Sequence, residues 1–593
     1  MNNKPMRKVV GLLSLFCLFF ISLEINAQAS LVPAQHQVYD WLHKQRIMGN
    51  IRFYSFETLP LNRGQIHTLL REIETGAKLN RIDQSQLRTY LLEFSMDTLR
   101  AQKHNTLLQG NGGSLKNTWN MKWRLLKSKQ EPHLFIYEDS SAVVNLDYYY
   151  GIGLVDPDEG GEKDWTRYKI TGLRTYGTIY KHLGFFLEAV NLSANEEGNS
   201  LRRVDYWGNT FDALNEKTST VYAEGFVSAQ YGKLGLHLGN GNIKYGVGND
   251  ESVIFRLKAA NFDWVRLNYD SKFFNYTFLH GALQGETFIE EDPANPGVRS
   301  RTSVPRWISM RRLQIRPFKW AQFSFTETLT YSNRGIDLAY INPIYPLRIA
   351  EYDKQDQDNP TWYLDGVLKP FKGLEMYGTL GIDDLLKLSD VFKPTGSRSS
   401  EDAVVLYQAG IHFVPRGLFH LNAEYLRIDP FYYTHRFQNN AYVTPMRHLI
   451  PLAHNIGPNA DQVYLSIKKW LPMRGWIKGY IAQVRKGLNI LDDEGNVVLD
   501  AGGDLSMGQN GGTDLVRFLA GDVHKYRIVG IETYIEPWRG VGLFINYQRR
   551  MVTQGNRIQD LDQFGFRATV NFYPITRVLA GILPSSFPIR GWL

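Results

Sequence analysis

Cysteine is almost absent from this chain of 593 residues, which contains a single one, Cys17. It lies in an apolar run, residues 9–23, that follows three basic residues and precedes the small residues Ala27 and Ala29. The run is too short for a spanning helix of ~20 residues, and it predicts a signal peptide over residues 1–27, cut after Ala27 or, as the alternative, after Ala29. Export would remove Cys17, which excludes disulfides, a Cys-ligated zinc and a Cys nucleophile from the mature chain.

Long hydrophobic runs are also lacking. Beyond the signal peptide no stretch approaches the ~18 uncharged apolar residues of a transmembrane helix. Attachment to a membrane would therefore need a closed barrel, because a barrel also satisfies every backbone group in lipid. With 43% hydrophobic and 21% charged residues the chain is neither disordered nor collagen-like. Its length allows about four domains of ~150 residues unless one large β unit absorbs most of it.

Enzyme signatures are missing as well. The sequence has no HExxH, GxSxG or GxxxxGK[ST] motif, and the glycine-rich residues 110–113 lack the lysine and the helix of a phosphate-binding loop. Asp383 and Asp384 form the best carboxylate pair, but neighbours on a strand point to opposite faces and are poorly placed to share a proton. The acidic residues 492–504 fit a solvated loop better than a calcium site, because they lack an EF-hand spacing. We therefore expect no enzyme activity, no cofactor and no metal.

Residues 28–104 show helical periodicity and predict a small helical domain. The first apolar stripe begins at Val38, the second follows a cap at Asn62, and the third follows the capping-box spacing of Asp83 and Gln86. Each helix is too short to be stable alone in water, so the three must pack on one another or on the rest of the chain.

From residue 142 the hydrophobic period changes to two, which is typical of β-strands. Phe419, Leu421 and Tyr425, for example, alternate with polar residues. The connections between strands alternate between tight turns and long loops. A barrel with periplasmic turns and extracellular loops requires this alternation, whereas a secreted β-sandwich, the alternative fold, does not. The predicted strands lie near residues 142–151, 167–180, 183–192, 219–231, 233–241, 262–270, 273–284, 305–316, 319–331, 361–370, 373–384, 403–414, 418–428, 460–469, 475–486, 525–537, 540–552 and 561–573.

The predicted fold is therefore an all-β membrane protein, a large antiparallel transmembrane β-barrel of about 18 strands with a small N-terminal periplasmic helical domain. The barrel covers residues 142–573, and residues 105–141 form a linker or an extra hairpin. An even strand number returns both chain ends to the periplasm, where the tail of residues 574–593 would also lie.

Charged residues in the predicted strands carry two further signals. Because Arg311 and Arg312 are adjacent, one of them points outward, and Glu327 lies in the apolar phase of its strand. An outward Arg at mid-membrane costs ~2–4 kcal/mol, so we expect a β-bulge or a position near the interface there. The inward phase holds more acidic than basic residues, which predicts an acidic lumen. These inward residues are Asp147, Glu188, Glu224, Asp365, Glu375, Asp383, Glu424 and Glu532 against Arg266, Lys468, Arg550 and Arg567.

Two long loops have the composition of a binding surface. Aromatic rings beside guanidinium groups suit stacking on sugar rings and pairing with carboxylates. An aromatic belt at the membrane interface explains the same residues equally well. The candidate ligand-binding residues are Tyr340, Asn342, Tyr345, Arg348, Asp358 and Asn359 in the first loop and Phe431, Tyr432, Tyr433, His435 and Arg436 in the second.

Several short motifs occur in order along most of the chain. They are VYDWL at 38–42, PLNRG at 60–64, GNGNIKYGVG at 239–248, FDWVR at 262–266, YINP at 340–343, DN at 358–359, GIDD at 381–384 and HNIGPNAD at 454–461. In these motifs the chain resembles the capsule-assembly Wzi family of outer-membrane proteins. The resemblance implies an 18-stranded barrel with a periplasmic helical bundle.

The same resemblance implies a lectin-like, non-enzymatic role in holding capsular polysaccharide, or exopolysaccharide, on the surface of a Gram-negative cell. The expected partners are that polysaccharide, outer-membrane lipid and lipopolysaccharide, and periplasmic or envelope proteins, with no nucleic acid. An outer-membrane diffusion channel and a role in gliding motility are the alternatives, because ~16–18 strands leave room for water unless something fills the lumen.

Overall fold

The computed structural model describes most of the chain. The predicted signal peptide, most of residues 105–141 and the predicted C-terminal tail lie outside the described residues. In the part of the chain that is described, no helix is long and apolar enough to cross a membrane. The described residues are 29–52, 54–94, 105–106, 132–138, 141–157, 166–180, 182–194, 219–248, 251–257, 259–291, 299–354, 357–383, 404–444, 451–505, 517–555 and 557–571.

Eighteen long strands form one closed antiparallel barrel, in which each strand pairs with the next and the last pairs with the first. All eighteen predicted strands are confirmed, with ends that shift by a few residues. The four-residue strand Phe135–Glu138 pairs with the beginning of the first barrel strand and corresponds to one half of the predicted extra hairpin. The barrel strands are β1 (Ala142–Pro157), β2 (Thr166–Ile179), β3 (Leu183–Ala194), β4 (Ser219–Tyr231), β5 (Leu234–Asn240), β6 (Asp263–Asp270), β7 (Phe274–Leu283), β8 (Arg306–Phe318), β9 (Ala321–Ser332), β10 (Asn359–Phe371), β11 (Leu374–Asp383), β12 (Val404–Phe413), β13 (His420–Ile428), β14 (Ala460–Trp470), β15 (Trp476–Leu488), β16 (Asp522–Trp538), β17 (Val541–Gln554) and β18 (Arg557–Asn571).

The two ends of the barrel differ in their connections, as the alternation of tight turns and long loops predicts. At one end tight turns join the strands, and Gly232 and Gly373 adopt positive φ values of 56° and 92° there, which glycine tolerates best. The other end carries the long connections, including residues 241–262, 333–358 and 429–459. We call these the tight-turn end and the long-loop end.

Alternation along the strands separates an apolar outer face from a polar inner face. On β9, Phe323 and Phe325 are exposed on the outside, whereas Gln322 and Ser324 are buried on the inside. Outward apolar residues of this kind recur on the neighbouring strands, as Leu364 does on β10. This pattern matches the lipid-facing band of transmembrane barrels.

Residues 29–94, which we call the head, contain the three predicted helices: α1 (Val38–Ile47), α2 (Arg63–Gly76) and α3 (Arg81–Phe94). The predicted cap of α2 is present, because the Gln65 amide donates to Asn62 Oδ1 at 2.8 Å. The predicted capping box of α3 is wrong. The Asp83 amide donates to Asn80 Oδ1 at 2.8 Å, so Asn80 caps the helix three residues earlier than expected.

The head does not stand apart from the barrel; it packs into the tight-turn end. The Gly373 amide in a tight turn donates to Ile47 O at 2.9 Å, and Gln86 Nε2 donates to Leu471 O in another turn at 2.7 Å. Deeper in, Arg266 Nη1 on β6 donates to Pro60 O at 3.0 Å. The helices therefore bury their apolar faces against one another and against the inner wall, which short helices need in order to be stable.

Candidate functional site

The long connection of residues 429–459 turns into the lumen. Tyr433 Oη donates to Val253 O at 2.8 Å and Tyr442 Oη donates to Ile254 O at 2.9 Å, both in the connection of residues 241–262. The rings of Tyr433 and Tyr442 stack with centroids 5.7 Å apart. We call these two connections the lumen loops, because their aromatic residues join the inward side chains of the wall in one buried core.

The lumen loops also reach the head. A two-residue strand of the head, Thr58–Leu59, pairs with Lys244–Tyr245 of the first lumen loop, and the Gly246 amide donates to Glu57 O at 3.0 Å. Leu257 of the same loop lies in the apolar core of the head. Head and lumen loops therefore form one continuous filling from the tight-turn end towards the long-loop end.

The structure corrects the prediction that Tyr340, Tyr432 and Tyr433 belong to an exposed binding surface. All three rings are fully buried. Burial raises the pKa of Tyr432 and of Tyr433 well above its ordinary value, so both phenols are neutral. Large aromatic side chains gain more from burial than from exposure to water, and the hydroxyl groups of Tyr340 and Tyr433 donate hydrogen bonds in their buried positions.

Part of the second predicted loop does remain at the surface of the long-loop end. Arg436 is exposed and its guanidinium carbon lies 5.2 Å from the ring centre of Phe437, which is about half exposed. His435 is buried and its Nδ1 accepts from the Phe437 amide at 3.1 Å. Phe431 is partly exposed, and its amide donates to Gly502 O at 2.8 Å. We call residues 434–440 the rim segment.

Asp358 and Asn359, both predicted as ligand-binding residues, make hydrogen bonds that hold these connections in shape. Asn359 Nδ2 donates to Asn440 O of the rim segment at 3.0 Å. The Asp358 carboxylate accepts from Arg334 Nη1 at 3.0 Å and from Tyr340 Oη at 2.5 Å. Burial is the largest of the effects that raise the pKa of Tyr340, and the hydrogen bond to this carboxylate adds to it. These contacts fix the rim segment against the neighbouring connection.

The other predicted residues of the first loop lie elsewhere, on the outside of the barrel. The connection of residues 333–358 contains two short helices, α4 (Leu338–Ile341) and α5 (Leu347–Tyr352). Asn342 is exposed and its Oδ1 accepts from the Ile344 amide at 3.0 Å, while Tyr345 and Arg348 are partly exposed. These residues are therefore not brought together with the rim segment in one surface.

The predicted lumen residues Asp147, Arg266, Asp383, Glu424 and Glu532 are all buried on the inner face. The inner face also carries arginines that the prediction missed, and these pair with some of the inward carboxylates. Arg312 Nη1 lies 2.6 Å from Asp365 Oδ2, and Arg174 bonds the Glu188 carboxylate. His133 Nδ1 lies 2.8 Å from Asp147 Oδ1. Pairing therefore compensates part of the acidic charge of the inner wall.

A buried charge network joins the head to the wall. Arg46 Nη1 lies 2.8 Å from Glu57 Oε1, and Arg46 Nη2 lies 2.7 Å from Glu375 Oε1 on β11. His43 Nε2 lies 2.7 Å from the same Glu375 oxygen. Burial opposes ionisation of Glu57, but the charge of Arg46 and the hydrogen bonds from Arg46 and Gln322 together outweigh burial and lower the pKa of Glu57 to about 2.

The same cluster has the donor types of a metal site. One donor atom each from His43, Glu375 and His412 lies within 4.8 Å of the others. The guanidinium of Arg46, however, already places a positive charge 2.7 Å from Glu375 Oε1. The arrangement is therefore accounted for as an ion-pair network that holds the head in the barrel.

The fold and the filled lumen define a class, the closed outer-membrane-type β-barrel whose interior is occupied by its own chain. Wzi of Escherichia coli, an outer-membrane protein involved in group 1 capsule assembly and described as a carbohydrate-binding β-barrel, has a similar structure. The match covers 93% of this chain and 100% of that protein, with a TM-score of 0.52 and 12% sequence identity. The similarity shows a Wzi-like barrel fold.

Other solved barrels match less well. OccK3 (OpdO) of Pseudomonas aeruginosa gives a TM-score of 0.39 with 10% identity, covering 72% of this chain and 95% of that one. OprD of the same organism gives 0.39 with 12% identity, covering 75% and 98%. No family model matches the sequence, and no curated protein sequence matches it.

Proposed function

We propose that this protein is an exported outer-membrane barrel that binds and retains surface polysaccharide, without enzyme activity, on its long-loop end. The observation that carries the proposal is the filled lumen, in which the head and the lumen loops share buried cores with the inner wall. A barrel of this size conducts solutes only where water fills its interior. The filling therefore favours a role for the outer surface over that of a diffusion channel.

The rim segment supplies chemistry that suits an acidic polysaccharide. The exposed Arg436 can pair with carboxylate groups, and the exposed ring of Phe437 beside it offers an apolar face for a sugar ring. The structural similarity to Wzi, which is described as carbohydrate-binding, supports the same class of ligand. One such pair gives weak binding, so retention would sum many contacts along an intact polymer.

A binding measurement on purified protein tests the proposal. The barrel is reconstituted in nanodiscs and exposed to a high-molecular-weight uronic-acid polymer, or to short oligosaccharides prepared from it. We expect the wild type to bind the polymer more tightly than the fragments, and binding to weaken as salt rises, because exposed charge pairs are screened over ~8–10 Å.

The double variant Arg436→Ala/Phe437→Ala should lose most of this binding. The matched control is Arg416→Ala/Leu418→Ala, which removes an exposed Arg and an exposed apolar side chain at the opposite, tight-turn end. Equal binding by wild type and the rim variant would contradict the proposed site, and absence of polymer binding by the wild type would contradict the proposed function.

A further inference from the structure

The connection of residues 333–358, which we call the outer-wall loop, packs on the outside of the barrel and does not cover its opening. Ser309 Oγ on β8 donates to Tyr340 O at 2.7 Å, and Arg311 of the same strand donates to the carbonyl of Asn342. Both residues lie on the outer face, because their neighbour Arg312 points inward to Asp365.

This packing explains the two charges that break the alternation, and it shows that the predicted β-bulge is wrong. Arg311 pairs directly with Glu327 in an unbroken ladder, and the register shifts only between Ile315 and Phe318. Glu327 accepts from the Leu347 amide at 2.8 Å and from the Arg348 amide at 2.9 Å. The backbone of the outer-wall loop thus satisfies the Glu327 carboxylate and bonds one nitrogen of Arg311, which lowers the cost of placing these charges on the outer face.

A small apolar core lies between the outer-wall loop and the wall. Leu329 and Tyr331 point outward from β9, yet both are fully buried by Tyr340, Leu347 and Ala350. The Tyr331 hydroxyl also lies 3.0 Å from His280 Nε2 on β7. The loop therefore covers a stretch of wall that would otherwise belong to the outer band.

The side of the outer-wall loop that faces away from the barrel is apolar. Leu338 and Ile344 are 77% and 86% exposed, and Ile336, Ile349 and Tyr352 are more than half exposed. Such a cluster of exposed aliphatic side chains is unusual on a surface that faces water.

The apolar side chains of the outer-wall loop continue the outer band of the strands beneath it. Leu313, Ile315, Phe323, Phe325 and Leu364 are exposed on the outer faces of β8, β9 and β10, the strands on which the loop rests. Several charged residues in the described part of the loop are paired with one another. Lys354 Nζ lies 2.7 Å from Asp337 Oδ2 and Arg334 bonds Asp358.

We propose that the outer-wall loop is a membrane-embedded element, whose helices α4 and α5 lie in the outer leaflet with Leu338, Ile344 and Ile349 against lipid acyl chains. The occupant is lipid because the exposed side chains of the loop are apolar and the strands on which it rests carry the lipid-facing band on their outer faces. The proposal rests on the membrane placement of the barrel and is independent of polysaccharide binding. It assigns Tyr345 and Arg348 to the membrane interface.

Spin labelling tests this placement. Single cysteines replace Ile344, Leu364 or Glu494 in a chain that carries Cys17→Ser, and each is labelled with a nitroxide after reconstitution in phosphatidylcholine nanodiscs. Leu364 is the lipid reference on the outer face of β10, and Glu494 is the water reference in an exposed hairpin turn. Collision with oxygen, which is enriched among acyl chains, is compared with collision with a water-soluble nickel chelate.

We expect the label at residue 344 to lose nickel accessibility relative to residue 494 and to match the oxygen accessibility of residue 364. A label at residue 344 that matches residue 494 places the loop in water and overturns the proposal. Spin coupling between labels of two barrels would identify a second copy of the chain as the occupant and would also overturn it. Folding of each variant is checked by the heat-dependent mobility of the barrel on gels, and Leu338→Cys provides a second position on the same face.

Discussion

Four inward tyrosines show how closely side chains are fitted inside this barrel. Tyr377 on β11 lies directly opposite Gly410 on β12, and a Cβ atom at Gly410 would be 2.2 Å from its ring. The same arrangement joins Tyr149 to Gly172, Tyr168 to Gly153 and Tyr480 to Gly530. In each pair the tyrosine ring packs over the backbone of the glycine on the neighbouring strand. This contact offsets the weakening of the sheet that a glycine without a packed side chain would cause.

The Gly410→Ala variant should therefore lower the free energy of unfolding by ~1–3 kcal/mol, because the added methyl group collides with the ring of Tyr377. Gly479→Ala is the matched control, since the nearest atom to its Cβ is an ordinary contact at 3.7 Å. The measurement is urea unfolding of the reconstituted barrel followed by tryptophan fluorescence. Equal destabilisation by the two substitutions would show that the ring does not constrain the glycine.

Arg46 is the residue on which the anchoring of the head depends. Replacing it by Met leaves Glu57 and Glu375 buried without their cation, so we expect the free energy of unfolding to fall by ~3–5 kcal/mol. Arg71→Met is the control, because Arg71 forms an exposed ion pair with Glu74 on α2. The same urea titration reports both variants, and a negligible effect at Arg46 would contradict the proposed anchor.

The same network predicts a dependence of stability on pH. The pKa of Glu57 is lowered from 4.5 to about 2 in the folded state. The unfolded state therefore binds a proton first, so the stabilisation is fully present above pH 4.5 and is lost as the pH falls towards 2. In Glu57→Gln this part of the acid dependence should disappear. Parallel acid titrations of the two proteins, with protease sensitivity of the head as the readout, check the prediction.

At the scale of single residues the sequence predicted the face of a side chain better than its partner. Alternation placed Asp147, Glu424 and Glu532 on the inner face, where the structure has them. It missed Arg306, whose guanidinium bonds the carbonyl groups of Val443 and Ala441 at 3.1 and 2.7 Å. Arg306 is the first residue of β8, where the alternation of apolar and polar residues is not yet clear. Val443 and Ala441 are more than 130 positions away from it in the sequence.

At the scale of elements the strands were predictable, because each strand has a two-residue hydrophobic period in its own sequence and ends at a turn. The course of the loops could not be predicted in this way. Tyr433 and its acceptor on Val253 are separated by 180 positions, and no local period records such a contact. Aromatic residues in a loop fit a binding surface and a buried core equally well, which is why Tyr432 and Tyr433 were assigned to the wrong environment.

The two ends of the barrel should lie on opposite sides of the membrane. An epitope inserted at Glu494, in the hairpin turn between β15 and β16, should be accessible to antibody on intact cells. One inserted between Gly232 and Lys233, in the tight turn between β4 and β5, should become accessible only after the outer membrane is permeabilised. The reverse pattern would contradict the orientation of the barrel.

At the scale of the whole molecule, one chain builds both a barrel and its filling. The head enters at the tight-turn end, the lumen loops enter from the long-loop end, and the two meet where Thr58–Leu59 pairs with Lys244–Tyr245. The rim segment and the outer-wall loop are among the surfaces that face the surroundings. The proposed role in holding a polymer outside the cell would use such outward surfaces and needs no passage through the lumen.

Single-channel recording in planar bilayers tests this account most directly. Purified wild-type protein is inserted, and a parallel sample of the Glu494→Cys variant, labelled with a fluorophore, verifies insertion under the same conditions. Because the head and the lumen loops fill the interior, we predict that verified insertions give no large, steady conductance steps at moderate voltage. Large ohmic steps from the folded wild type would contradict the central claim, since they would show an aqueous path through the barrel.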